Sequence, residues 1–295
     1  MIMSINDIIR SAVNNVQKNE FNVDEWAKEK NRQREWAYQT QDEMAEKITV
    51  DSEKYKTYLN VQSQFPSYSV GNALLVTAQK PEAKQLREAD SWKRDKVYFK
   101  KNPQRIIILE PTNTYIREDG TEAQSFDSKI VYDISDMQMK RQLNTVPYTQ
   151  ESLLKGILSM SPVQVEVVEH TSKANKLVNY NTNKRTIEVS NDAEVKDTIK
   201  GLVAEIASIH MLSFADTELN KFKNQSVSYM ISKKYGMSLS EYDFSRIPQE
   251  LQQMSPKEIK SELGKVAECY AILTEGIDRT LDIQPKTKSH REYER

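Results

Sequence analysis

Apolar residues recur three and four apart along several stretches of this chain, and each such stretch predicts a helix with one buried face. In TIKGLVAEIASIHM, residues 198–211, the face is Ile199, Leu202, Val203, Ile206 and Ile209. Residues 21–48 have helical period without Gly or Pro, but their apolar positions Trp26, Ala27, Trp36, Ala37, Met44 and Ile48 are sparse, which predicts a largely exposed helix. DSEKYKTYLNVQSQF, residues 51–65, predicts another, opened by Asp51 or Ser52 as N-cap, with Tyr55, Tyr58, Leu59 and Phe65 as its stripe. After Pro66 the pattern restarts in SVGNALLVTAQ, a compact helix ending before Pro81.

Strand signals follow. KVYF and RIIILEP predict two strands, the second buried because its apolar run is unbroken, and SKIVYDIS predicts a third. The Asp-Gly pair in NTYIREDGTEAQSF predicts a hairpin between the last two. DMQMKRQLNTVPYT loses periodicity and suggests a boundary near residues 145 and 146. Beyond it come a helix at 150–159, strands VQVEVVEH and KRTIEVS around a polar turn NYNTN, and helices at 193–211, 217–235, 248–253 and 255–281. Residues 284–295 form a charged tail, and no internal repeat is visible.

Overall charge excludes little, because 42 Lys and Arg stand against 43 Asp and Glu, so an anion-binding surface has to be a local patch. One cysteine, Cys269, excludes an internal disulfide framework, and with three separated histidines it leaves no Cys/His metal cluster. Cys269 shares a helical face with Val266, Ala267, Tyr270 and Leu273, the setting of a buried structural thiol. No apolar run is long enough to cross a membrane and no signal peptide is evident, so a cytoplasmic chain is expected. The seven glycines are scattered and form no phosphate-cradling loop.

The local patch exists. Between Lys80 and Arg105 nine cations, Lys80, Lys84, Arg87, Lys93, Arg94, Lys96, Lys100, Lys101 and Arg105, face four carboxylates, Glu82, Glu88, Asp90 and Asp95. Trp92, Tyr98 and Phe99 are interleaved with them, and Tyr68 lies just upstream. Cations match backbone phosphates while aromatic rings stack on unpaired bases, which is the chemistry of single-strand binding. A Trp beside a strand is also ordinary core, and a Lys-rich edge strand also blocks edge pairing.

YSVGNALLVTAQKPEAKQLREADSWKRDKVYFKKNPQRIIILEP, residues 68–111, resembles the N-terminal single-stranded-DNA-binding domain of ArdC-type antirestriction proteins and the LtrC-like proteins of conjugative elements. The match comprises the YS..N.LL...Q.P.A helix, the Trp, and a turn running into an apolar strand that ends in Pro; IVYDIS, residues 130–135, fits the following strand. The family's glycine-rich KGEKG-type turn is here KKNPQR, which keeps the basic residues and loses the glycines.

The resemblance implies a zinc-peptidase-like second half of the ImmA/IrrE kind, in which a helix carries HExxH and the next helix an acidic third ligand. Two histidines four apart face one metal from one side of a helix, and the Glu activates the bound water. In LVAEIASIH the histidine positions fall on Ala204 and Ser208 with Glu205 retained, and in NQSVSYMISKKYGM the acidic position falls on Gln225. His210, two residues on, is rotated by about 200° and points elsewhere.

Together these readings give an α+β fold: N-terminal helices with a small antiparallel sheet over residues 1–145, then a mostly helical, degenerate metallopeptidase-like domain with a small β-sheet over 146–283. The expected function is non-enzymatic binding of single-stranded DNA for a mobile element, in conjugative transfer or antirestriction, without metal or cofactor. Tyr68 and Trp92 would stack, Asn72 and Gln79 would hydrogen-bond base or sugar, and Lys93, Arg94, Lys96, Lys100, Lys101 and Arg105 would neutralise phosphates. The alternative is a protein-interaction module in which the former peptide groove, with its vestigial Ala204, Glu205, Ser208 and Gln225, grips a host or conjugation-machinery protein.

Overall fold

A computed structural model describes residues 22–138, 148–215 and 217–282. The expected boundary at residues 145 and 146 and the charged tail lie outside them. Helix α1 (Val23–Val50) starts where the Asn22 side chain accepts the Asp24 and Glu25 N–H groups. Only its C-terminal half lies on the core, through Ala37, Gln41, Ala45 and Ile48. Trp26 and Trp36, counted among the apolar positions of the sequence, stay 48% and 41% exposed, and small side chains at Ala37 and Ala45 make the close contact.

Helix α2 (Ser52–Gln64) is capped by Asp51 and buries Tyr55, Tyr58 and Leu59, with Phe65 at its C-cap, as its stripe predicts, and Val61 besides. It packs against α3 (Val70–Gln79), which Ser69 caps. Strand β1 (Leu86–Arg87) and helix α4 (Ala89–Arg94) lead to the long hairpin of β2 (Ile106–Ile116) and β3 (Glu122–Asp133). Gly120, at φ +79°, turns this hairpin at the Asp-Gly pair. The antiparallel order is β1-β3-β2, with a register irregularity between Pro111 and Thr114.

KVYF is not a strand. Lys96 takes a left-handed conformation (φ 58°) just past α4, and the segment makes a single isolated bridge, Phe99 to Met137 beyond β3, while the Phe99 ring meets Tyr132 of β3 edge-on at 4.8 Å. The two residues of β1, which carry no periodic signal, pair with β3 instead.

The rear half holds α5 (Gln150–Leu158), strands β4 (Val165–Val168), β5 (Val178–Asn181) and β6 (Thr186–Ser190), and helices α6 (Val195–His210), α7 (Glu218–Lys234), α8 (Gln249–Gln252) and α9 (Pro256–Thr280). The sheet order is β4-β6-β5, with β4 parallel and β5 antiparallel to β6. Asn179, Tyr180 and Asn181, in the stretch NYNTN that predicts a turn, instead complete the strand opened by Val178; the turn begins at Asn181, whose side chain accepts the Asn183 and Lys184 N–H groups. Helix α6 crosses β5 so closely at Gly201 that a Cβ there would lie 2.5 Å from the Val178 Cβ. The architecture is α+β, as expected.

One buried apolar core runs from Ala45 to Ile277. Its centre joins front to rear: Tyr55 of α2 meets Phe222 of α7 at 4.7 Å between ring centroids and Phe244 at 5.5 Å. The Tyr55 hydroxyl lies 2.8 Å from Ser226 Oγ, and the Tyr270 hydroxyl of α9 donates to the Ser63 carbonyl.

Strand β2 is the sheet's edge, and α3 supplies the partners that another strand would. The Asn72 amide donates to the Leu109 carbonyl and accepts the Leu109 N–H, both at 2.8 Å; two turns later Gln79 does the same for Ile107, also at 2.8 Å. Asn72→Leu or Gln79→Leu is expected to leave two backbone groups unpaired and cost about 1–3 kcal/mol in urea denaturation. A wild-type midpoint and slope in either variant would contradict this role.

Candidate functional site

From the last turn of α4, which holds Lys93 and Arg94, the chain to Arg105 continues as an irregular loop tied down by its backbone. The Lys100 N–H donates to the Asp136 carbonyl and the Gln138 N–H to the Tyr98 carbonyl, both at 2.8 Å. The Lys100 ammonium donates to the Ser135 carbonyl at 2.7 Å and the Gln138 side chain to the Phe99 carbonyl at 2.8 Å. Beneath this turn lies Asp133, fully buried, which accepts the Lys84, Gln85 and Ser135 N–H groups. Burial works against its charge, yet the hydrogen bonds from Ser135, Gln85 and Lys84 outweigh it and hold the carboxyl below its ordinary range.

Several cations of the window are already matched. Lys80 pairs with Asp136 at 2.8 Å, Arg87 with Asp95 at 2.5 Å and Lys93 with Asp90 at 3.2 Å. Arg94, Lys96, Lys101 and Arg105 are exposed and have no ion pair among the described residues. Their charge is free for an external anion.

The four polar and aromatic residues expected to touch nucleic acid are built into the fold. Trp92 is 2% exposed, its indole N–H donates to the Tyr132 carbonyl and the Arg87 guanidinium lies 4.8 Å over its ring. Tyr68 is buried and stacks on Phe65 with centroids 5.1 Å apart. Neither ring is open to a base, and Asn72 and Gln79 have their amides committed to β2. The exposed ring in the same stretch of chain as these cations is Tyr98, 65% exposed. Its sequence signal was an aromatic within KVYFKK with no apolar period to bury it.

In the rear half the structure joins α6 to α7 where the resemblance puts the ligand positions. Ser208 is buried and its hydroxyl donates to the Ser213 carbonyl at 3.1 Å; the Ser213 hydroxyl donates to the Asn224 side chain at 2.9 Å, one residue before Gln225. Gln225 donates to the Asp243 carbonyl at 2.9 Å, Ala204 is half-buried, and the Glu205 carboxylate pairs with the Lys176 ammonium at 2.8 Å. His210 is exposed, with its Nε2 3.3 Å from the Met160 carbonyl. Among the described residues no group of three or more His, Cys, Asp or Glu side chains is placed to hold a metal ion.

The carboxylate with the largest shift lies elsewhere, on β6. Glu188 is 2% exposed and accepts the Ser172 N–H at 2.6 Å and the Asn181 amide at 2.8 Å. These bonds, Ser172 foremost, bring its pKa down to about 2, so it stays anionic and is no general acid near neutrality. Burial pushes the Cys269 thiol up to about 12, the inert thiol its sequence setting predicts.

No protein-family model matches the sequence, and no curated protein does. Among solved structures, the metal-free antirestriction ArdC protein from plasmid R388 is similar with a TM-score of 0.53 at 12% identity, covering 83% of this chain and 99% of that one. The Mn(II)-bound form of that protein gives a TM-score of 0.47 at 12% identity, over 72% and 84% of the two chains. The chain has an ArdC-like fold, as the resemblance in residues 68–111 implies. No helix among the described residues is long and apolar enough to cross a membrane.

The Glu188 pKa is lower folded than unfolded, so its contribution to stability is present above the unfolded value and is lost as pH falls toward about 2. Glu188→Gln is therefore expected to lower the urea midpoint at neutral pH, with the gap to wild type closing as pH falls below the usual carboxylate range. A gap independent of pH would contradict the assignment.

Proposed function

We propose that this chain is a non-enzymatic single-stranded-DNA-binding protein that serves a mobile genetic element in antirestriction or conjugative transfer, with the 93–105 loop as its DNA surface. The observation that carries this reading is that four exposed cations without an ion pair among the described residues, Arg94, Lys96, Lys101 and Arg105, share one short stretch of chain with the exposed ring of Tyr98. Lys93 and Lys100, whose present partners are a surface carboxylate and a carbonyl, are adjacent reserves. Ammonium and guanidinium groups would follow the phosphates while the Tyr98 ring takes a base. The antirestriction context is supported by the fold shared with the R388 protein.

The rear helices would then serve as scaffold. At the positions implied by the resemblance, methyl, hydroxyl and amide groups stand where a zinc peptidase needs imidazole and carboxylate, and Glu205 is neutralised by Lys176. Residual peptidase chemistry has no activated water to draw on there.

Titration of a labelled oligonucleotide, single against double stranded, tests the proposal. Four neutralised phosphates predict a log-log salt slope of about −3 on single strands. Replacing Lys101 and Arg105 together by Ala is expected to flatten it by roughly 1.4. Tyr98→Ala is expected to weaken binding roughly 5- to 100-fold at constant slope, the size of one lost stacking contact. Absence of binding at low salt would reject the reading and move attention to the rear surface, where Leu212 and Phe214 are 76% and 47% exposed.

A further inference from the structure

The 93–105 loop is joined by hydrogen bonds to a cation that lies outside it. We infer, resting on the reading of that loop as a DNA surface, that Lys84 takes a further phosphate of the same bound strand. Lys84 stands on the turn between α3 and β1, exposed and with no ion pair among the described residues. Its backbone, by contrast, is fixed at both polar groups. The Lys84 N–H donates to the Asp133 carboxylate at 2.7 Å, and its carbonyl accepts the Gln64 side-chain amide at 2.7 Å. A cationic side chain on a base already held in place has less freedom to lose when it grips an anion.

The same carboxylate connects this lysine to the loop. Asp133 Oδ1 accepts the Lys84 and Gln85 N–H groups, and its Oδ2 accepts the Ser135 N–H at 2.9 Å. The Ile134 N–H donates to the Gln85 carbonyl, also at 2.9 Å. At the other end of this short turn the Ser135 carbonyl accepts the Lys100 ammonium at 2.7 Å, and the Asp136 carbonyl accepts the Lys100 N–H at 2.8 Å. Three peptide bonds separate Asp133 from Asp136, a span of at most about 11 Å. Lys84 at the start of the turn is thereby held in register with Lys100 and Lys101 at its end, and Ser135 between them is exposed.

The carboxylates of the turn do not oppose a phosphate. Asp133 is fully buried, and Asp136 is neutralised by Lys80 at 2.8 Å. Glu82, two residues before Lys84, is exposed, but its backbone makes no hydrogen bond among the described residues, so it is free to yield to an approaching strand.

Two measurements on the full chain test the inference. In a salt series with the labelled single strand, a fifth contact takes the log-log slope from about −3 for the loop alone to about −3.5. Lys84→Ala is expected to flatten it by roughly 0.7, and Lys84→Arg, which keeps the charge, to hold the wild-type slope. In acetylation footprinting read by mass spectrometry, a saturating strand is expected to protect Lys84 together with Lys101 and to leave Lys155, on α5 in the rear half, as reactive as before. A wild-type slope in Lys84→Ala beside a flattened one in Lys101→Ala, Arg105→Ala, or protection of Lys101 with Lys84 still reactive, would overturn the inference and leave the loop standing. Absence of binding by wild type at low salt would remove both.

Discussion

Every backbone group that the fold removes from water has to find a partner, and this requirement at the free edge of β2 organises the front of the molecule. Asn72 and Gln79, on one face of α3, close that edge at Leu109 and Ile107. Asp133 answers the same demand for the turn at Lys84, Gln85 and Ser135, and the Tyr132 carbonyl answers it for the Trp92 indole. The most distinctive residues of the front motif are consequently spent on holding β2, β3 and the 93–105 loop in register. What they leave unspent is a rim of cations and one tyrosine ring, so recognition falls to side chains that no packing requirement has claimed.

The rear of the molecule follows the same economy with a different outcome. Tyr55 and Ser226 bind α2 to α7, and Ser208, Ser213 and Asn224 bind α7 to α6. Hydroxyl and amide groups satisfy one another at the helix crossing, and the Glu205 carboxylate has a lysine beside it. Such a crossing is stable without any bound cation, which allows the pair of helices to persist as architecture whatever its chemistry.

Much of this was legible in the sequence. The helical stripes of α2, α6 and α9 reappear as buried faces, and the Asp-Gly pair marks the hairpin tip. The misreadings have common physical causes. KVYF has strand composition, but a left-handed Lys96 and long-range anchoring to Asp136 and Gln138 turn it into a loop. Val178, Asn179 and Tyr180 are too short and too polar a run to announce a strand that exists because β6 needs a neighbour. The exposed Trp26 and Trp36, by contrast, fit the largely exposed helix expected of α1, whose contact face is set by Ala37 and Ala45. Most telling is the site itself, since an aromatic or amide motif does not reveal in one dimension whether its atoms point at a ligand or at the protein's own backbone.

Photocrosslinking of a single strand that carries 5-iodouracil at every second position shows which ring takes a base, because the chain exposes aromatic rings at several separate places. An adduct on Tyr98 is expected, suppressed when Lys101 and Arg105 are replaced. Adducts confined to Trp26 or Trp36, with Tyr98 unmodified, would contradict it.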